Sequence, residues 1–469
     1  MKSFFKYTIV LICLSFSFSC FEDDDDSISN STEIKDFVWK GMNFAYLYKE
    51  NSADLANNRF SNNNEYQSYL DGFETPETLF ENVIYDRENI DRFSWITNNY
   101  ITLEEQFNGV TKTNGAEFNF YYVPGSTTNI FGIVRLVLPE SDASYASVSR
   151  GQVFNKIDDQ TLSVNNLETL LASESYNIGL ATYNNNGTDE PEDDFITNTS
   201  EIVTLTKTIY YENPIFKTEV FNLDGENVAY IMYNGFFSDF DNQLNNAFGE
   251  FQAQNIQHLV LDLRYNPGGS VKSASALGSM ITGFSNGVFA KLQYNNDLQN
   301  NNSNYNFSSS LYQGGAINSL GLNKVYVLTT GRSASASEMI INSLDAYIDV
   351  VQIGTKTVGK SQASITIYDS SNFQRQSANS SHLYALQPLV AITVNKNDLV
   401  VPSTGLIPDI EIKESVSNYG VLGTIEEPML AAAILAIQNS GRFGFDNEGI
   451  TPIMDTDSFV PHAQSMYLD

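Results

Sequence analysis

From about Asp36 apolar residues recur at steps of three and four, through Phe37, Gly41, Phe44 and Tyr48 with Val38, Met42 and Ala45 alongside, which predicts an amphipathic helix. Thr78 to Glu81 and Trp95-Ile96 continue the helical character, so residues 33–102 are expected to form a small helical domain whose aromatic stripe is core. Between 103 and 187 the period drops to two. Phe118-Asn119-Phe120-Tyr121-Tyr122, Ile130 to Val137 and Val153 to Leu162 read as short strands, with a helix at Asn166 to Ala172. Residues 184–200 are polar and acidic with no apolar period, and a domain boundary is expected there. From 200 to 440 strands and helices alternate. Strands are predicted at Asn227–Tyr233, His258–Arg264, Lys324–Thr329 and Val350–Gly354, and helices at Asp239–Ala253, Val271–Ile281 and Ala336–Ala346. The Asn/Ser/Gly-rich stretch 292–318 is expected to be a mobile insert, and 441–469 a tail.

A chain of 469 residues is too long for one core, and its 42% hydrophobic and 13% aromatic content is that of a folded protein with two or three domains. The formal charge of −31 is uninterrupted by any Lys/Arg cluster, which argues against nucleic acid as a partner and fits a solvated acidic surface. Both cysteines, Cys13 and Cys20, lie in the first twenty residues, so no disulfide framework is expected. Lys2 and Lys6 precede an apolar run from Tyr7 to Phe18, too short for a stable membrane span, and the small residues Ser17 and Ser19 precede Cys20. This arrangement resembles a bacterial lipoprotein signal, although Ser17 stands where leucine is frequent. The resemblance implies removal of residues 1–19, lipidation of Cys20 and an acidic tether over 20–32 that begins Phe21 to Asp26. The expectation is an exported, lipid-anchored envelope protein of the outer membrane, with the periplasmic and surface faces both open.

Nucleophilic catalysis needs an exposed but immobile side chain beside a base, with backbone N–H groups aimed at the developing oxyanion. Thr329 to Glu338 leaves a strand through small residues and opens a helix, so Ser335 in Ser333-Ala334-Ser335-Ala336-Ser337-Glu338 is a candidate nucleophile. Taken alone, the same run reads more simply as a helix N-cap. Of the three histidines, His258 opens a strand, His382 follows in a polar hairpin with no motif around it, and His462 is in the tail. Lys360 sits in Gly354-Thr355-Lys356-Thr357-Val358-Gly359-Lys360, one helix-turn-strand unit after Ser335, and burial would lower its pKa enough for it to act as a base.

Leu261-Asp262-Leu263-Arg264-Tyr265-Asn266-Pro267-Gly268-Gly269, the Ser333–Glu338 run, Gly354–Lys360 and Gly405-Leu406-Ile407-Pro408-Asp409-Ile410, in that order, resemble the C-terminal processing peptidases, also called tail-specific proteases. The resemblance implies a multidomain α/β protein: a crotonase/ClpP-like catalytic core, a PDZ-like β-rich domain over 103–187 and an N-terminal helical cap. Ala143, Ala146, Val148, Arg150 and Gly151 ahead of the Val153 strand resemble a permuted PDZ domain, with Gln152 where aspartate is usual. The family pattern implies Ser335 as nucleophile, Lys360 as general base, and the N–H groups of Ala336 and of Gly268 or Gly269 as the oxyanion hole, with Gly268 preferred. The glutamine often found four residues after the lysine is replaced by Ser364, which leaves Gln362 or Ser364 to orient the amine. Asp262 and Arg264 read as structural. The implied activity is serine endopeptidase action on extended or C-terminal polypeptide segments, with no metal or cofactor. A peptide-binding lipoprotein that no longer cuts and a crotonase-type thioester enzyme are the alternatives.

Overall fold

The computed structural model describes residues 25–188, 190, 193–414, 416, 419–438, 450–459 and 465–468. The helical cap comprises α1 (Asp25–Ala45), α2 (Asn63–Asp71) and α3 (Pro76–Val83), then β1 (Trp95–Thr97) and α4 (Tyr100–Phe107). The β-rich domain follows as β2 (Val110–Thr113), β3 (Ala116–Tyr122), β4 (Ile130–Val137), α5 (Asp142–Tyr145), β5 (Val153–Ile157), β6 (Gln160–Thr161), α6 (Leu167–Ala172), β7 (Ser175–Asn184), β8 (Phe195–Thr206) and β9 (Thr208–Tyr211). The largest domain begins with β10 (Ile215–Leu223), β11 (Glu226–Tyr233), α7 (Asp241–Ala253), β12 (His258–Asp262), β13 (Gly268–Ser270), α8 (Val271–Thr282), β14 (Val288–Tyr294) and β15 (Ser303–Asn306). It continues with β16 (Lys324–Thr329), α9 (Ala336–Asp345), β17 (Asp349–Gly354), β18 (Gln362–Ser364), β19 (Ile367–Tyr368), β20 (Ala385–Gln387), β21 (Leu389–Val394), β22 (Ile410–Glu411) and α10 (Pro428–Gln438). Two tail strands close the chain, β23 (Met454–Asp455) and β24 (Ser465–Tyr467).

The main sheet runs β10-β11-β12-β16-β17-β22, parallel throughout except for β10. Alternation along its strands decides which side each residue serves. Leu259 and Leu261 of β12 join Phe248, Leu277 and Ile340 of α7, α8 and α9 on one face, while Val260 joins Met429, Leu430 and Ala433 of α10 on the other. Both faces are covered, as an all-parallel core requires. Because β12, β16 and β17 are parallel neighbours, the three loops that follow them leave the same edge of the sheet. That shared edge is where α/β sheets build their sites.

Two expectations change. The polar stretch 184–200 is not an interdomain joint: Asn184 pairs with Phe195 and β7 and β8 form one long antiparallel hairpin within the β-rich sheet. Its outer strand is exposed on both faces along much of its length, so it shows no apolar period to read. Residues 292–318 are likewise ordered, beginning with the β14–β15 hairpin, with Phe307 and Leu311 buried in the core against α8.

Asp262 and Arg264 are structural, as expected. The fully buried Arg264 guanidinium is 3.0 Å from both Asp262 oxygens and forms a fork with Glu427 at 2.6 and 2.9 Å. It also reaches Glu414 at 3.3 Å, and Arg150 of the β-rich domain reaches the same carboxylate at 2.6 Å. This network joins β12, α10 and the β-rich domain. Arg264→Met strands two buried carboxylates and is expected to cost about 3–5 kcal/mol, read as a lower urea midpoint by far-UV circular dichroism.

Candidate active site

The loop after β12 is held by Asn266, whose buried amide donates to Tyr233 O at 2.8 Å while its Oδ1 accepts the Gly268 N–H at 2.9 Å. Gly269 has φ +131° and a side chain there would collide with the Phe236 carbonyl, so the backbone stays bare. This loop is stitched to the next. Ser333 Oγ donates to Leu263 O at 2.7 Å, the Ala334 N–H to Asn266 O at 3.2 Å, and Ser337 Oγ to the same oxygen at 3.0 Å.

Ser335 stands at the start of α9 with φ 65° and ψ −115°, a left-handed backbone that costs a non-glycine residue of order 1–3 kcal/mol. Ser335 is the N-cap of α9, and the Glu338 half of a capping box closes on its N–H. The Ser335 hydroxyl is fully buried and, among the described residues, has no hydrogen-bond partner. What holds the turn is Glu338, one helical turn on. Its Oε2 accepts the N–H of Ser335 and that of Lys360, each at 2.8 Å, which places the two backbone nitrogens within twice that distance of each other. Its Oε1 accepts the Gly359 N–H at 2.6 Å and the Thr357 hydroxyl at 2.5 Å. Burial pushes this carboxyl up, and the four donors act against that push.

Lys360 is 2% exposed. Burial pushes its amine down to about 7, against the opposing pull of Asp91 and Glu338. The helical cap supplies much of this enclosure. Nζ lies 5.0 Å from the Phe93 ring centroid, and Arg92 donates to Gly359 O at 3.1 Å and Ser403 O at 3.0 Å, clasping the lysine loop. Asp91, wholly buried, accepts the N–H groups of Phe93 and Ser94 on one oxygen and leaves the other without a hydrogen-bond partner among the described residues. The strand-loop-helix build of the serine, the glycine pair and the buried amine together suit acyl transfer.

Residues 227–412 match Peptidase family S41, and residues 33–95 match the Peptidase S41 N-terminal domain. The chain belongs to peptidase family S41. This S41 chain is 27% identical over 194 residues to a probable CtpA-like serine protease of Staphylococcus epidermidis, covering 39% of this chain and 36% of that one. It is 23% identical over 244 residues to a carboxyl-terminal-processing protease of a Picosynechococcus species, covering 51% of each. These matches thus span between a third and about half of the curated relatives' length. A candidate S41 protease from Bacteroides fragilis shares the fold, at TM-score 0.69 and 24% identity over 87% of this chain and 98% of its own.

Within this S41 chain the predicted residues separate into those the fold gathers and those it does not. Ser335, Ala336, Gly268, Gly269 and Lys360 converge through the stitched loops. The preference for Gly268 as an oxyanion donor does not fit this arrangement, because its N–H is taken by Asn266. Ser364 turns away from the lysine loop, donating to Met466 O at 3.0 Å. Gln362 donates to the Tyr48 hydroxyl of the cap at 3.1 Å, and its buried Oε1 has no partner among the described residues. His382 is engaged on both ring nitrogens, by Asp369 at 3.0 Å and the Tyr384 N–H at 3.0 Å, and His258 pairs with Glu226. Cys20 and His462 lie outside the described residues.

Sequence reading missed Glu338, Asp91 and Phe93. Glu338 had a signal, since Ser-x-x-Glu ahead of an apolar run is a capping-box spacing, whereas the cap residues had none. Glu338→Ala leaves four buried donors unmatched and is expected to cost roughly 3–5 kcal/mol, and Glu338→Gln about 1–3 kcal/mol. Thermal melts in the order wild type, Gln, Ala would bear this out. Equal melting of all three would rule it out.

Proposed function

We propose that this chain is a serine endopeptidase that cleaves extended or C-terminal segments of polypeptides through Ser335 and Lys360. The observation that carries the proposal is the buried Ser335 hydroxyl, without a hydrogen-bond partner among the described residues, on a strained turn tied by one carboxylate to the loop of a lysine pushed down to about 7. In this reading neutral Lys360 Nζ takes the Ser335 proton as Oγ attacks the scissile carbonyl. The Ala336 N–H, first in α9, and a donor from the glycine loop face the oxyanion. The lysine returns the proton to the leaving amine; water then enters, loses a proton to Nζ as it attacks the acyl carbon, and Nζ passes that proton to the departing Ser335 Oγ, which frees the acid and restores the neutral lysine. The buried Asp91 carboxylate offers the amine a charged neighbour in place of the missing glutamine.

The protonation state fixes the pH dependence. Only neutral Lys360 serves as base, so kcat/KM should fall about tenfold per pH unit below about 7 and level off above about 8. Ser335→Ala should abolish cleavage of unstructured polypeptides and labelling by a fluorophosphonate while leaving the circular dichroism spectrum unchanged. A chain that holds peptides without cutting them would bind such polypeptides and take no label, and that result would end the proposal.

The anchoring inference stands separately. We infer that Cys20 carries a lipid holding the protein to the outer membrane; among the described residues no helix is long and apolar enough to cross a bilayer. Cys20→Ala should move the protein from the membrane fraction to the soluble envelope fraction.

A further inference from the structure

We propose that two described stretches of this chain, residues 450–459 and 465–468, are the resident occupants of the peptide path and must leave before a substrate can enter. The proposal rests on the peptidase reading above for the meaning of the path, but not for the docking itself.

The strand β24 lies between β13 and β18. Ser465, Met466 and Tyr467 run parallel to Gly268, Gly269 and Ser270, and on the other side Tyr467 pairs with Ser364. One neighbour therefore carries the glycine pair and the other begins two residues after Lys360. The far edge of β13 is taken by Phe236, whose N–H and C=O bond Gly268 O at 2.9 Å and the Ser270 N–H at 2.8 Å, and the far edge of β18 by β21. Take β24 away and the two inner edges face each other across a slot one strand wide, the geometry that receives an extended peptide by main-chain pairing. The Leu468 N–H on Ser364 O at 3.0 Å is a contact of that kind, and Ser364 Oγ adds a side-chain bond to Met466 O at 3.0 Å. Met466 is fully buried, and the Tyr467 ring stacks on Phe107 at 4.2 Å.

The upstream stretch makes a second strand addition. Met454 and Asp455 pair antiparallel with Phe120 and Asn119 on the edge of β3, in the PDZ-like sheet. The Ile453 N–H donates to Phe120 O at 2.9 Å, and Thr456 Oγ1 accepts the Phe118 N–H at 2.6 Å. The same stretch is fixed by charge. Arg332, three residues before Ser335, pairs with both Asp455 and Asp457, and Arg135 reaches Asp457 at 2.9 Å. Residues 450–459 thus cover the edge of the PDZ-like sheet and grip the nucleophile's loop, and residues 465–468 fill the slot beside the glycine pair. Ser335 is 0% and Lys360 2% exposed, a closed state for groups that must meet a polypeptide, to which the helical cap over Lys360 also contributes.

The test compares the full chain with a chain ended at Gly449 and with Tyr467→Ala. Labelling of Ser335 by a fluorophosphonate should be about tenfold or more faster in the shortened chain and several-fold faster in Tyr467→Ala, because the competent fraction rises. A synthetic peptide of residues 450–469 should bind the shortened Ser335→Ala chain saturably by fluorescence anisotropy, and should slow labelling of the shortened chain where a scrambled peptide does not. Binding without labelling in any variant would keep this proposal and end the peptidase reading. A folded shortened chain that labels measurably but no faster than a measurably labelled full chain, or that ignores the peptide, would overturn it. If the shortened chain does not fold, Tyr467→Ala decides, and unchanged labelling there overturns it.

Discussion

Most of this site hangs on one buried carboxylate. Glu338 bonds both the serine turn and the lysine loop, and its two oxygens receive three backbone N–H groups and one hydroxyl. A charge in so enclosed a place is expensive unless every lone pair is used. Here the donors come from both loops, so satisfying the acid and aligning the loops are the same event. Its place in the first turn of α9 adds the favourable field of a helix N-terminus. The strain at Ser335 is sustained by this arrangement, since the residue's own N–H is one of the four donors.

Parallel pairing does the coarse positioning. Successive motifs in β12, β16 and β17 are far apart in sequence, but lateral pairing sets their carboxyl ends side by side, with Asp262 beside Leu328 and Leu328 beside Ile353. Hydrogen bonds between loops then fix the last few ångströms, through Asn266, Ser333 and Ser337. The helical cap is not a separate body resting nearby. Its core merges with Leu292, Ile367, Leu386 and Val390 of the larger domain, which brings Asp91, Arg92 and Phe93 over the lysine loop.

What could be read from the chain follows the range of the interactions. Ser335, Lys360 and the glycine pair sit in short motifs at strand ends, so local composition betrays them, and the alternation of strand and helix from β11 onward carried the fold of the main sheet. The β7–β8 hairpin escaped because its exposed strand has no buried face to leave a period. Asp91 and Phe93 escaped because their role exists only after two domains meet, and nothing near them in sequence points to an amine elsewhere. Gly268 shows a subtler gap. Asn-Pro-Gly-Gly predicts a bare turn, but not that the asparagine folds back and takes the first glycine's N–H.

The enclosure of Lys360 has a consequence for how chemistry is distributed over the chain. Its neutral form near pH 7 comes from burial, and part of that burial is supplied by residues of a different domain. Proton affinity at this amine is therefore a property of docking between domains rather than of the sheet that bears it. Were the cap to lift by the width of a water layer, the amine would be solvated, recharge toward the ordinary lysine range and lose its ability to accept a proton at neutral pH. In the proposed mechanism, a sheet domain separated from its cap would keep its serine, its lysine and its glycines and still be silent.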